Sequence, residues 1–166
     1  NKIGSLIKYY KDEQMKAFEI LKKEDFNKIN KIHRIMSKAF DEYAQKFERE
    51  AETFEDAKVH ILYYTPKYDV SSSVMTSLSV KHRDRIYVCI HDLENGKIKI
   101  STRHNGEKYD LNEIVKKSLN NLENATGGGH PPAAGAVIMK KDIEKFKKNF
   151  VREVRNYENE QRKTSI

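Results

Sequence analysis

Apolar residues recur every three or four positions along the first third of the chain. One long stripe predicts an amphipathic helix over about 25–54, and a shorter stripe predicts another helix over 3–21. The long stripe consists of Ile29, Ile32, Met36, Phe40, Tyr43, Phe47, Ala51 and Phe54. Stripes of this length need a partner that buries them. We therefore expect residues 1–57 to form a helical arm that docks on another domain, with a self-contained helical hairpin as the alternative.

Residues 58–166 show a different pattern, in which strands and helices alternate in the order β-α-β-β-α-β-α. The run VHILYYT is apolar on both faces, which predicts an interior strand. Either Asp69 or a serine of 71–73 is expected to cap the helix that follows it. The tail after Tyr157 is expected to be loose. This order predicts an α/β fold, in which a mixed β-sheet is covered by helices and preceded by long linker helices.

A β-hairpin is predicted where two strand patterns, RIYVCIHDL and KIKISTR, flank the sequence ENGK. The dipeptide Asn95-Gly96 between such patterns is the strongest short-range signal for a two-residue turn. In the second strand, alternation places Lys99, Ser101 and Arg103 on one face. This face is therefore predicted to carry two cations and a hydroxyl group.

Composition changes this picture in three ways. Lys and Arg number 32 against 25 Asp and Glu, and the net charge of +7 suits a polyanion such as nucleic acid, although Lys/Glu-rich surfaces are also common in thermophile proteins. A single cysteine, Cys89, excludes a disulfide or a cysteine metal site within the chain and favours a reduced, cytoplasmic protein. The sequence has no apolar run of membrane-spanning length, so we expect no membrane association.

The string NATGGGHPPAAGAVI at 124–138 carries the strongest candidate chemistry. Successive glycine amides can form a concavity that accepts phosphate, and His130 can donate to a phosphate oxygen. Pro131 and Pro132 would stiffen the exit from this glycine loop. The spacing of a Walker loop and its Gly-Lys-Ser/Thr ending are both absent. A tight turn between a helix and a strand is the alternative interpretation.

Within this string, GGGHPPAAG resembles the signature of the DHHA1 domain, the C-terminal, substrate-holding domain of the DHH-family phosphoesterases. KISTR and SSSVMTSL resemble the family's strand with Ser-x-Arg and its small-residue helix start. The resemblance covers roughly 58–156, and the arm resembles the family's connecting helices. The family includes RecJ-like single-strand nucleases and oligoribonucleases that hydrolyse very short RNAs and cyclic dinucleotides. The related domain of alanyl-tRNA synthetase normally has Arg after the glycines, which makes it a poorer match.

The resemblance implies a role for each matching residue. It assigns substrate or phosphate binding to Ser101, Arg103, Gly127, Gly128, Gly129, His130 and Gly135. His130 would also assist catalysis, since it would reach the scissile region or a neighbouring phosphate. Arg103 would clamp the backbone phosphate, a role that suits the fork-shaped donors of a guanidinium group. The family often has Ser after that Arg, whereas this chain has His104.

The family's chemistry also needs a cluster of Asp and His that binds two metal ions, usually Mn²⁺, on a separate N-terminal domain. The sequence contains no Asp-His-His string, and IHDL at 90–93 supplies too few ligands for two-metal catalysis. His82 and His104 are candidate phosphate contacts. We therefore expect this chain to bind substrate weakly, to hold no metal ion and to catalyse nothing alone.

The resemblance supports two functional hypotheses. The first is the substrate-binding part of an Mn²⁺-dependent phosphodiesterase or exonuclease, which works with a cognate DHH domain on single-stranded DNA or short RNA. The second is a non-catalytic RecJ-like replisome scaffold, which binds protein partners such as GINS through the arm. A free-standing nucleic-acid-binding domain is a third possibility. Such a domain would offer few aromatic side chains for base stacking near the glycine loop. The only cluster is Tyr63, Tyr64 and Tyr68, and these residues could equally be core.

Overall fold

The computed structural model describes residues 1–164, and a six-stranded mixed β-sheet lies at its centre. The strands are β1 Glu52–Phe54, β2 Val59–Tyr63, β3 Ile86–Asp92, β4 Lys97–Arg103, β5 Thr126–His130 and β6 Ala133–Met139. Their order across the sheet is β1-β2-β3-β4-β6-β5. Only β2 and β3 are parallel, and the remaining neighbours are antiparallel. The predicted α/β fold with a mixed sheet is thus confirmed.

Helices cover the two faces of this sheet in different ways. They are α1 Lys2–Tyr9, α2 Gln14–Lys22, α3 Phe26–Glu50, α4 Ser71–Lys81, α5 Leu111–Ser118 and α6 Ile143–Thr164, the last preceded by a short 3₁₀ turn. On one face, α5 and α6 bury apolar side chains from β2, β3, β4 and β6. On the other face, α1 to α4 form a second apolar cluster over β2 and β3. The remaining half of this second face, over β4, β6 and β5, contributes no residue to that cluster.

The arm packs on the sheet through its long helix. Tyr43 and Phe47 of α3 belong to the same buried cluster as Tyr87 and Cys89 of β3. The arm differs from the sequence prediction at two points. α3 ends at Glu50, because the following residues pair with β2 as strand β1 instead of extending the helix. The predicted helix over 3–21 is broken into α1 and α2 by a turn.

The hairpin between β3 and β4 has the predicted turn. Asn95 and Gly96 both have positive φ, at 61° and 69°, which is the backbone conformation of a type I′ turn. The predicted cap of α4 is wrong, since Val70 occupies the N-cap and no side chain caps this helix. The prediction of a loose tail is also wrong for 158–164, because α6 continues through these residues. The tail prediction for 165–166 lies outside the described residues.

The three consecutive glycines form a strand and not a loop. β5 contains all three and pairs antiparallel with β6, so that Pro131-Pro132 make the turn of a hairpin. Amides alternate in direction along an extended strand. Successive glycine amides therefore do not converge into the predicted phosphate-binding concavity. The number of strands after the arm is accordingly one larger than the sequence pattern suggested.

Candidate functional site

Cross-strand register aligns the sequence-predicted residues in rows on the uncovered half of the sheet. Arg103 on β4 lies opposite Ala133 on β6, which in turn lies opposite His130 on β5. Directly opposite residues in antiparallel strands project to the same face. Arg103 and His130 therefore share one face, two strand spacings or about 9–10 Å apart at the backbone.

The neighbouring row lacks bulky side chains. Ser101 on β4 lies opposite Gly135 on β6, and Gly135 lies opposite Gly128 on β5. Gly135 leaves no room for a side chain, since an added Cβ would lie 2.9 Å from the carbonyl oxygen of Ile100. This row is thus a flat floor of backbone. It lies beside the row that holds Arg103.

A cleft of about 620 Å³ lies above this floor, and we refer to it as the cleft. Its strand residues include Lys99, Ser101, Arg103, Gly128 and Gly135. Its opposite wall is formed by residues 65–69, by the first turn of α4 and by the arm's Lys11. The arm, the β2–α4 connection and the glycine hairpin therefore all contribute to one cavity.

Two of the three glycines of β5, Gly127 and Gly129, are required by their backbone surroundings. An added Cβ at Gly129 would lie 2.5 Å from the carbonyl oxygen of Ala133, and φ there is +158°. At Gly127 a Cβ would lie 2.8 Å from the carbonyl oxygen of Gly135. The amide of Gly129 is already used, because it donates to Oδ1 of Asn112 at 3.0 Å. Packing thus accounts for two of these glycines without any ligand.

Two cations on the cleft floor have no ion-pair partner within the described residues, namely Lys99 and Arg103. By contrast, Lys11 lies 3.5 Å from a carboxylate oxygen of Asp69. The carboxylate of Asp92 is also engaged, since Nζ of Lys140 donates to it at 2.7 Å. On the cleft floor the unpaired positive charge therefore lies on β4, and Lys67 on the wall is a further lysine without an ion pair among residues 1–164. An anion bound on the β4 side of the cleft would therefore find donors that are not already paired.

His91 lines the cleft next to Lys99, with which it is paired across β3 and β4. Its Nε2 lies 3.2 Å from the hydroxyl of Tyr43 and 3.1 Å from Oγ of Ser71. Burial lowers the pKa of His91, and the positive charge of Lys99 acts in the same direction. Sequence reasoning treated this histidine only as a poor metal ligand. Strand alternation could have placed it on the face of Lys99, but its arm partner Tyr43 is distant in sequence.

The predicted site residues divide into two groups. Ser101, Arg103, Gly128 and Gly135 line the cleft. The other three predicted residues do not line the cleft, namely Gly127, Gly129 and His130. His130 is exposed at the end of β5, in the same row as Arg103, so it lies at the rim. Three of the lining positions that sequence reasoning did not select are Lys11, Lys67 and His91.

The two additional histidine candidates do not reach the cleft. His104 is 1% exposed and packs edge-on against Tyr109, while its Nδ1 lies 3.1 Å from the carbonyl oxygen of Arg85. His82 ends α4 and does not line the cleft. The prediction that His104 contacts phosphate is wrong, because it follows Arg103 off the strand and turns into the core.

Metal chemistry finds no support among residues 1–164. They contain no group of three or more His, Cys, Asp or Glu side chains that could hold a metal ion. The Mn²⁺ ions that the resemblance implies would be held by a separate DHH domain, and that assignment stays a prediction. The helices described here also include none that is both long and apolar enough to cross a bilayer.

The fold defines an α/β domain with helices on both sides of a mixed sheet and a cleft on the open half of one face. Residues 56–156 match the DHHA1 domain family. The chain belongs to this family, as its sequence motifs indicated. No curated protein matches the chain by sequence.

Three solved structures illustrate the similarity of fold. RecJ from Thermus thermophilus in complex with Mg²⁺ has a TM-score of 0.67 at 17% identity, over 93% of this chain and 24% of RecJ. CDC45 from Entamoeba histolytica has a TM-score of 0.59 at 12% identity, over 92% of this chain and 36% of CDC45. The pGpG-specific phosphodiesterase PggH from Vibrio cholerae has a TM-score of 0.55 at 12% identity, over 77% of this chain and 42% of PggH. The chain thus spans less than half the length of each.

Proposed function

We propose that the cleft binds the phosphodiester backbone of single-stranded nucleic acid, as the substrate-holding part of a DHH-family phosphodiesterase or exonuclease. The observation that carries this proposal is the pair of unpaired cations, Lys99 and Arg103, beside a floor of glycine backbone. Membership of the DHHA1 family supports it. So do the activities of two proteins of similar fold, a pGpG-specific phosphodiesterase and the exonuclease RecJ.

The arrangement of donors suits an extended polyanion better than a single small anion. Lys99 and Arg103 are four residues apart on one strand, so their backbone positions are separated by about 13 Å. Each can contact a different phosphate, with Ser101 between them as a further donor. Arg103 can bind two oxygens of one phosphate with its planar guanidinium group, whereas Lys99 acts as a point charge. The glycine floor lets the substrate backbone lie close to the sheet.

In this proposal the chain positions substrate, and a cognate DHH domain performs metal-dependent hydrolysis with Mn²⁺ as the expected ion. The family resemblance implies an assisting role for His130, and its position at the rim in the row of Arg103 is compatible with this role. Short RNA and single-stranded DNA both present the phosphates that the cleft needs. The chain alone is expected to bind these substrates weakly and without turnover.

A replisome scaffold that binds GINS-type proteins is the second candidate. The observation that favours it is an accumulation of exposed apolar side chains on the arm: Ile3, Ile7, Met15, Phe18 and Phe26. Scattered exposed apolar residues are normal, but a concentration of them on one segment is typical of protein-binding surfaces. This candidate predicts binding of a protein partner that does not depend on Arg103.

Fluorescence anisotropy with a labelled single-stranded oligonucleotide of about twelve nucleotides tests the first candidate. We expect Arg103→Ala to weaken binding about tenfold, because a hydrogen-bonded contact to a charged group contributes about 1.5–3 kcal/mol. Lys148→Ala is the matched control, because it removes one exposed cation from α6, on the opposite side of the sheet. The plot of log K against log salt concentration should also become less steep for Arg103→Ala, with the magnitude of its negative slope smaller by about 0.7. Equal affinity of Arg103→Ala and Lys148→Ala would refute the proposed cleft.

A further inference from the structure

A second cavity adjoins the cleft where the arm meets the β2–α4 connection, and we refer to it as the tyrosine cavity. It encloses about 300 Å³ and is lined by residues 8–13 and 67–69. Four residues line both cavities: Lys11, Lys67, Tyr68 and Asp69. A ligand that lies in the cleft can therefore continue into the tyrosine cavity without leaving the protein surface.

The walls of the tyrosine cavity are aromatic. The rings of Tyr9 and Tyr68 are stacked, with centroids 5.5 Å apart and planes inclined by 22°. Tyr10 packs edge-on against Tyr9 with a centroid distance of 5.0 Å. Nζ of Lys67 lies 5.6 Å from the ring centre of Tyr68. The three rings are partly exposed. They thus form a preorganised aromatic cluster, in which Tyr9 backs the ring of Tyr68, and this cluster joins the arm to the sheet domain.

The charges of the tyrosine cavity distinguish it from the cleft. Its lining has three lysines, which are balanced by the carboxylates of Asp12, Glu13 and Asp69. The shared Lys11 is paired with Asp69, and Lys8 donates to the hydroxyl of Ser73. Carboxylates repel a phosphate group, but they accept hydrogen bonds from the amino groups of nucleobases. The tyrosine cavity therefore suits a nucleobase, whereas the cleft suits phosphates.

We propose that Tyr68, supported by Tyr9, is a stacking platform for one nucleobase of the strand whose phosphates lie in the cleft. This inference rests on the proposed function, since the cleft must deliver the strand. A volume of about 300 Å³ lies at the lower end of the range for small-molecule sites, which suits one base and not a longer segment. Stacking on an aromatic ring tolerates any base, so the tyrosine cavity adds affinity with little preference for sequence.

Two measurements on the whole chain test this platform. The first is the fluorescence of oligonucleotides that carry 2-aminopurine at successive positions. We expect strong quenching at one position and weaker quenching at its neighbours, because a stacked base loses its emission. The second is the affinity of Tyr68→Leu, which should decrease about tenfold for a normal oligonucleotide. An oligonucleotide that is abasic at the quenched position should bind Tyr68→Leu and the unmodified chain equally.

Two variants serve as controls for these measurements. Tyr68→Phe retains the ring and should keep both quenching and affinity. Phe18→Leu removes an exposed ring from α2 that lines neither cavity, and it should leave both the quenching and the oligonucleotide affinity unchanged. Loss of affinity in Arg103→Ala with no effect of Tyr68→Leu and no position-specific quenching would overturn the platform but leave the proposed function standing. If neither Arg103→Ala nor Tyr68→Leu alters binding, both proposals fail.

Discussion

Replacement of Gly129 by alanine tests whether the glycine strand is dictated by packing. The added Cβ would lie 2.5 Å from the carbonyl oxygen of Ala133 and 2.6 Å from Cα of Ala134, and both atoms belong to the backbone of β6. These atoms cannot rotate away as a flexible side chain would, so β5 must shift. The conformation is also unfavourable for any residue with a Cβ, because φ is +158°.

The expected cost follows from these two contributions. Backbone strain of this kind costs about 1–3 kcal/mol, and overpacking against a fixed neighbour costs about 1–3 kcal/mol. Since β5 is an edge strand and can relax outward, we expect Gly129→Ala to lower the free energy of unfolding by about 2–4 kcal/mol. For a chain of this size, this corresponds to a decrease in Tm of about 5–15 °C.

Gly96→Ala is the matched control, because it shares a positive φ, of +69°, but its added Cβ would meet no atom within 4 Å. It should cost only the backbone strain, about 1 kcal/mol, or about 2–4 °C in Tm. Thermal unfolding followed by circular dichroism gives both values. A Tm for Gly129→Ala that is no lower than that for Gly96→Ala would contradict the argument that the β6 backbone excludes a side chain.

Two further predictions concern the partly buried His91 and the buried Cys89. Burial lowers the pKa of His91 below its ordinary value of 6.5. The unfolded chain therefore binds a proton at this residue more readily than the folded chain does. Stability should decrease as the pH falls from about 6.5 towards the lower pKa of the folded state. Urea unfolding at about pH 7.5 and pH 5.5 should therefore show a smaller acid-induced loss for His91→Gln than for the unmodified chain, and an equal loss would count against this assignment. Burial raises the pKa of the Cys89 thiol to about 11, and the side chain is fully buried. A thiol reagent should modify Cys89 only at the rate of unfolding, whereas rapid modification of the native protein would show that the arm opens.

Elements with their own periodicity could be predicted from the sequence. α5 begins after Asp110, whose carboxylate accepts from the amide of Glu113, and the hairpin between β3 and β4 turns at Asn95-Gly96 as predicted. Alternation along β4 also placed Ser101 and Arg103 on one face, and both line the cleft. In each case the signal lies within a few residues of the structure that it specifies.

Features that depend on distant partners could not be predicted in this way. β5 has no side chains that could alternate over its three glycines, so only its pairing with β6 identifies it as a strand. β1 continues the apolar spacing of α3, and only its pairing with β2 shows where the helix stops. The wall of the cleft needs Lys11 from the arm, whose position depends on how α1 packs. Tyr68 similarly finds its stacking partner Tyr9 only in the folded chain.

The Asn112 side chain has a consequence for the behaviour of the protein in a crowded solution. An outermost strand presents free backbone donors and acceptors, which invite strands of other molecules to add to it. On β5 the amide of Gly129 is occupied by Oδ1 of Asn112, and α5 packs beside this strand. At the opposite border, β1 offers only three residues. Both borders of the sheet are thus poor templates for lateral growth, which protects a flat glycine strand from aggregation.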